Sequence, residues 1–155
     1  MTLYQEPEVR AVGIDQIANL FIEIEGEEEQ FILDHSSGHL KDSPEGKMLL
    51  SFLEDEKSKA QSCRILLKGH VESRPIVLKE WDFQALRTLN YMDHVPGAWE
   101  KQIGAKALLQ GALAFESKLN ESLENLASEM GHPADLTQLI NLNKKTMAKL
   151  KEFLG

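Results

Sequence analysis

Asp34, Ser36 and Gly38 stand together in residues 31–40, FILDHSSGHL, where a β-like alternation runs into a short polar turn. Strand ends of this kind are where binding residues concentrate. The same residues also suit an Asx-type turn, in which the carboxylate and hydroxyl bond to nearby backbone N–H groups and glycine supplies a positive φ. Arg10 precedes the first apolar run and is one of four arginines, with Arg64, Arg74 and Arg87. A guanidinium bonds phosphate bidentately, and the same residue also reads as part of a solvated arm.

Other chemistry is sparse. His35 and His39 are four apart but fall in a turn with no cysteine or third histidine close by, so they do not form a metal pair. No nucleophile elbow, phosphate-binding glycine loop or HExxH occurs. The acidic runs 27–29 and 54–56 fall in turn segments and read as solvated surface. The chain is therefore read as non-enzymatic, with no cofactor and no metal site.

The elements that must position these residues begin with five strand patterns. Residues 1–17 form an arm or short edge segment. Residues 18–25, ANLFIEIE, alternate with Leu20, Ile22 and Ile24 on one side, and residues 30–34 return with Phe31 and Leu33, which predicts a hairpin. Residues 47–54 alternate through Met48, Leu50 and Phe52, with a helix as the competing reading. Residues 61–71 alternate through Cys63, Ile65, Leu67, Gly69 and Val71, and residues 75–81 supply one more strand. Short antiparallel strands at this spacing predict a small barrel, since closure removes exposed edges.

From Asp82 the period changes to that of helices. Asp82 opens a short helix, residues 98–130 form a long one ended by Gly131 and Pro133, and residues 135–154 form another. In the last, Leu136, Ile140, Asn143, Met147, Leu150 and Leu154 make a heptad seam with one polar position, which predicts homo-oligomerisation. The competing reading is that these helices pack on the rest of the chain. Trp81 and Trp99 read as anchors between barrel and helices. The expected class is α+β: residues 1–95 a β-barrel with a short closing helix, residues 96–155 a helical oligomerisation element.

Composition limits the partners. A net charge of −8 leaves no basic field for DNA or RNA. Hydrophobic residues make up 42% of the 155, with no run approaching the roughly 20 residues a membrane span needs. No signal peptide is visible at the N-terminus, so a cytoplasmic location is expected. The single cysteine, Cys63, excludes an internal disulfide and reads as a buried small hydrophobe.

The order Asp-x-Ser-x-Gly at 34–38, after one hairpin and before another, resembles the turn of PilZ domains, small β-barrels that bind cyclic di-GMP. The resemblance covers about residues 8–92 and includes Arg10 at the first arginine of the family's arm. It departs at Ile14, where a second arginine belongs, and at His39, where a glycine belongs. It implies Arg10, Asp34, Ser36 and Gly38 as the ligand-binding set. It also implies weak or absent cyclic di-GMP binding and an adaptor role with a protein partner in motility, pilus, exopolysaccharide or virulence regulation. A small acidic homodimeric secretion chaperone is the alternative, and it needs a helix at the start of the fold.

Overall fold

In a computed structural model the chain is described over residues 8–36, 43–68, 76–100 and 103–155. Helices dominate these residues, and they contain no β-barrel. The elements are β1 (Val9–Val12), α1 (Ile14–His35), α2 (Pro44–Lys68), β2 (Ile76–Lys79), α3 (Glu80–Arg87), a 3-10 turn (Tyr91–His94), α4 (Ala105–Glu129) and α5 (Ala134–Leu154). The two strands pair antiparallel, with Arg10 opposite Leu78 and Ala11 opposite Val77.

The α+β barrel expectation is thus corrected, and the cause lies in α1 and α2. Leu20, Ile22 and Ile24 alternate, but the positions folded inward are Ile17, Ala18, Phe21, Ile24, Glu25, Glu28 and Ile32, a stripe repeating at three and four. Two of its members are glutamates, and Gly26 interrupts the run at a helix cost of about 1 kcal/mol relative to alanine. With those positions counted as polar, only the accidental alternation remains. The proposed hairpin over 18–34 is one helix. In α2 the inward stripe is Leu49, Phe52, Leu53, Glu56, Lys59 and Cys63, again with two charged members, so residues 47–54 and 61–68 are helical rather than strands.

Local signals set the helix ends. Gly13 precedes α1 and its N–H donates to Gln16 Oε1 at 2.9 Å. Ser43 accepts from the Gly46 N–H at 2.9 Å, with Pro44 in the first helical position of α2, where its missing N–H costs nothing. At the end of α4 the N–H of His132 reaches the Ala127 carbonyl at 2.7 Å and that of Gly131 the Ser128 carbonyl at 3.4 Å. Gly131 at φ +76 makes this a Schellman turn, which reverses the chain into α5.

The helices α1, α2, α4 and α5 pack as a bundle in which α2 touches the other three, with α3 lying on α4. Residues on both sides of position 95 share one core, from Val12, Phe21 and Phe52 to Leu108, Phe115 and Leu150. Trp81 and Trp99 do not anchor it: they are 56% and 84% exposed. Gly111 of α4 lies directly against Val95, and a Cβ there would meet Val95 Cγ2 at 2.7 Å and its Cα at 3.1 Å. Gly111→Ala is therefore expected to destabilise by about 1–3 kcal/mol despite alanine's better helix propensity. Urea unfolding measures this, and an unchanged or raised midpoint would contradict the close approach.

Candidate metal centre

Three helices bring four glutamates together in the middle of the bundle. Glu25 and Glu28 sit three apart on α1, Glu56 on α2 and Glu116 on α4. One carboxylate oxygen from each lies within 4.8 Å of the other three. All four residues are buried, Glu28 and Glu116 completely. Spacings of three and four keep side chains on one helix face, so each helix aims its group at the bundle axis without local distortion.

Among the described residues a single cation answers them. Lys59, one turn beyond Glu56, places its Nζ 2.6 Å from Glu56, 3.0 Å from Glu25 and 3.4 Å from Glu116. It also donates to Asn143 Oδ1 at 3.0 Å. Asn143 is oriented by its own amide, which donates to the Glu116 carbonyl at 3.0 Å and to Asn120 Oδ1 at 3.5 Å, so its oxygen must face the ammonium. The ring of Phe21 lies 6.0 Å from the same ammonium.

One ammonium does not balance four carboxylates, and the pKa directions follow from that. Burial first, then the charge of Glu116, pushes Glu28 well above the ordinary carboxylate range. Burial and the charge of Glu56 raise Glu116 to about 7, with Lys59 pulling the other way. Glu56 is raised by burial, with Lys59 partly offsetting it. Lys59 moves up because the surrounding carboxylates outweigh its own desolvation, so it stays charged. Tyr91 is raised by burial and by the fields of Glu28, Glu116 and Glu56, and its hydroxyl donates to the Leu108 carbonyl at 2.6 Å.

Around this balance, oxygens are left over. Neither oxygen of Glu28 accepts a hydrogen bond from any donor among the described residues, nor do Glu25 Oε2 and Glu116 Oε1. Buried carboxylate oxygens without partners are costly, on the order of 1–3 kcal/mol each or more when charged. They are satisfied either by protons shared between carboxyls or by a bound cation. Bundles that carry Glu and Glu-x-x-His on facing helices hold pairs of metal ions. Here the residue three beyond Glu56 is Lys59, and on α5 the pair with that spacing is Asn143 and Thr146. The donors at the carboxylate cluster are all oxygen, and Lys59 fills part of the space.

The residues proposed from the sequence lie elsewhere. Arg10 is in β1, where its Nε and Nη2 donate to the two oxygens of Glu80 at 2.7 and 2.6 Å, and its guanidinium lies 4.7 Å from the centre of the Phe83 ring. That pairing draws the Glu80 carboxyl down to about 2, with Gln84 adding a second bond. Asp34 is at the far end of α1, where it accepts from Gln30 at 2.7 Å, and Ser36 ends the helix. The length of α1, at 1.5 Å per residue, puts roughly 30 Å between Arg10's end and Asp34's. The structure does not bring them together, and Asp34 and Ser36 are in a helix terminus, not a strand end. Gly38 and His39 lie outside the described residues.

The α5 seam faces inward. Leu136, Ile140, Asn143 and Leu150 are buried within the one chain, and Met147 and Leu154 are half-buried. The polar seam position that suggested register between copies instead binds Lys59. Cys63 is buried on α2, and burial pushes its thiol up to about 12.

Fold and site together define a helical bundle with a buried carboxylate–ammonium centre. No protein-family model, curated protein or solved structure matches the chain. Among the described residues no helix is long and apolar enough to cross a membrane.

Proposed function

We propose that the protein is a cation-binding helical bundle whose centre, Glu25, Glu28, Glu56 and Glu116, takes one hard divalent cation beside the resident ammonium of Lys59. The observation that carries this reading is Glu28: it is completely buried, grouped with three other carboxylates, and neither of its oxygens accepts from an N–H or hydroxyl among the described residues. The PilZ adaptor role drew its support from a barrel the described residues do not form, so it is not carried forward.

Charge counting favours a divalent ion. Four ionised carboxylates and one ammonium leave three negative charges, and protons on Glu28 and Glu116 reduce this to one. A divalent cation that displaces both protons leaves the same single negative charge, so the exchange needs no new buried charge. All-oxygen donors select hard ions such as Mg²⁺, Ca²⁺ and Mn²⁺ over soft ones. Oxygens on opposite sides of an ion are two bond lengths apart, about 4.8 Å for calcium at about 2.4 Å, so four oxygens that lie within 4.8 Å of one another can share one ion.

Binding is then linked to pH with a definite sign. Below about 7 Glu116 holds a proton that the cation must expel, so apparent affinity rises with pH through that value. Calorimetric titration with Mn²⁺ in two buffers of different ionisation enthalpy reads the proton count directly. More protons per ion are expected at pH 6 than at pH 8, where Glu116 is already ionised. Heats that show no saturable binding at either pH would overturn the proposal.

A further inference from the structure

A second polar site lies beside the centre, between α2 and α5. Two stripes face each other across it: Asp55, Ser58, Lys59 and Ser62 on α2, and Leu142, Lys145, Thr146 and Lys149 on α5. Each stripe steps by three, one and three, the spacing of a single helix face. The cavity between them has a volume of about 270 Å³. Lys59 and Thr146, only 3% and 5% exposed, form its inner end, and Lys145 and Lys149 stand at the exposed mouth.

The mouth of the cavity carries more positive than negative charge, Lys145 and Lys149 against Asp55. In a chain of net charge −8, three ammonium groups meet one carboxylate here. Lys59 is committed to the glutamates behind it. Lys149 pairs with Asp55 at 3.0 Å and also donates to Ser51 Oγ, while Lys145 has no ion pair among the described residues. An exposed pair such as Lys149–Asp55 is worth only about 0–1 kcal/mol, so Lys149 can turn to an incoming anion at little cost. Ser58 and Ser62 on α2 and Thr146 on α5 add hydroxyls on both walls, Thr146 Oγ1 donating to the Leu142 carbonyl at 3.4 Å, while Asp55 at the mouth and the glutamates behind Lys59 oppose a negative group.

We propose that the mouth of this cavity binds a small tetrahedral oxyanion of the phosphate class, held by Lys145 and Lys149 on one wall and by the hydroxyls of Ser58 and Ser62 on the other. Donors spread over two walls suit four oxygens in three dimensions better than the two coplanar oxygens of a carboxylate. The site uses no glutamate of the buried centre except through Lys59, and it stands whether or not a cation binds there.

The test uses full-length, metal-free protein titrated with inorganic phosphate at constant ionic strength, with sodium acetate as the planar comparison. Saturable phosphate binding is expected. Lys145→Gln and Lys149→Gln should each weaken it about tenfold or more, as loss of a charge-assisted bond does. Lys144→Gln, whose ammonium pairs with Glu124 away from the cavity, should leave it unchanged. These lysines are all exposed or at the surface, and circular dichroism of each variant verifies the fold. Absence of saturable binding, acetate binding as tight as phosphate, or an equal loss in Lys144→Gln would overturn the assignment. Because the protein is metal-free throughout, none of these results bears on cation binding.

Discussion

Lys59→Met should lower folding stability by about 3–5 kcal/mol at pH 8, the cost of removing one partner from a buried ionic cluster. Methionine fills similar space, so the loss reports charge and not a cavity. The ammonium now within 3.4 Å of Glu25, Glu56 and Glu116 would be gone, and those carboxylates would have to take up protons. The pH dependence has a definite sign. Glu116 binds its proton more tightly in the folded chain, at about 7 against an ordinary 4.5, so its contribution to stability is greatest at low pH and is lost as pH rises from 4.5 through 7. The deficit of the variant relative to the parent should therefore shrink between pH 8 and pH 5. Urea unfolding of both proteins at the two pH values measures it, and a cost under about 1 kcal/mol at pH 8 would show that the ammonium does not hold the cluster together.

The second large effect is expected at Glu28. Its carboxyl is kept protonated by burial and by Glu116, so ionising it in the folded protein is unfavourable. Glu28→Gln keeps the shape and removes that liability. In the absence of metal the variant should be more stable than the parent at pH 8, since a carboxyl whose pKa is raised on folding costs stability above its unfolded value. It should also lose at least tenfold in affinity for a divalent cation, because an anionic ligand has become a neutral amide. Thermal unfolding with and without Mn²⁺ separates the two: the parent gains stability on adding the ion, while the variant starts higher and gains little. A cluster that serves only to share protons would give the first result without the second.

The sequence carried the helical half of this account more clearly than the site. Residues 105–129 and 134–154 announce themselves through an apolar stripe and through Gly131 and Pro133, which stop one helix and start the next. Residues 14–35 and 44–68 were obscured by the very groups that form the centre. Glu25, Glu28, Glu56 and Lys59 occupy inward positions of helical stripes, and a pattern scored on apolarity reads those positions as surface. Glu28 lies within a run of acids that resembles a turn, yet Glu27 is exposed and Glu29 half-buried while it is completely buried. The signal that was available is spacing: Glu25 and Glu28, Glu56 and Lys59, and Asn143 and Thr146 each recur at three, in phase with the leucines and phenylalanines around them. Asn143 reads as a polar residue on an apolar seam, and its side-chain oxygen accepts from Lys59 of the same chain, a partner that no local pattern reveals. Local violations of pattern mark functional positions more often than errors of folding.

Equilibrium dialysis of the full chain against Mn²⁺ at pH 8, followed by elemental analysis of the protein compartment, puts the cation centre to its most direct test. The account predicts about one ion per wild-type chain and almost none for Glu28→Gln, as expected of a site whose ligands must be deprotonated carboxylates. A wild-type chain that retains no ion, or a Glu28→Gln chain that retains as much as wild type, would contradict it.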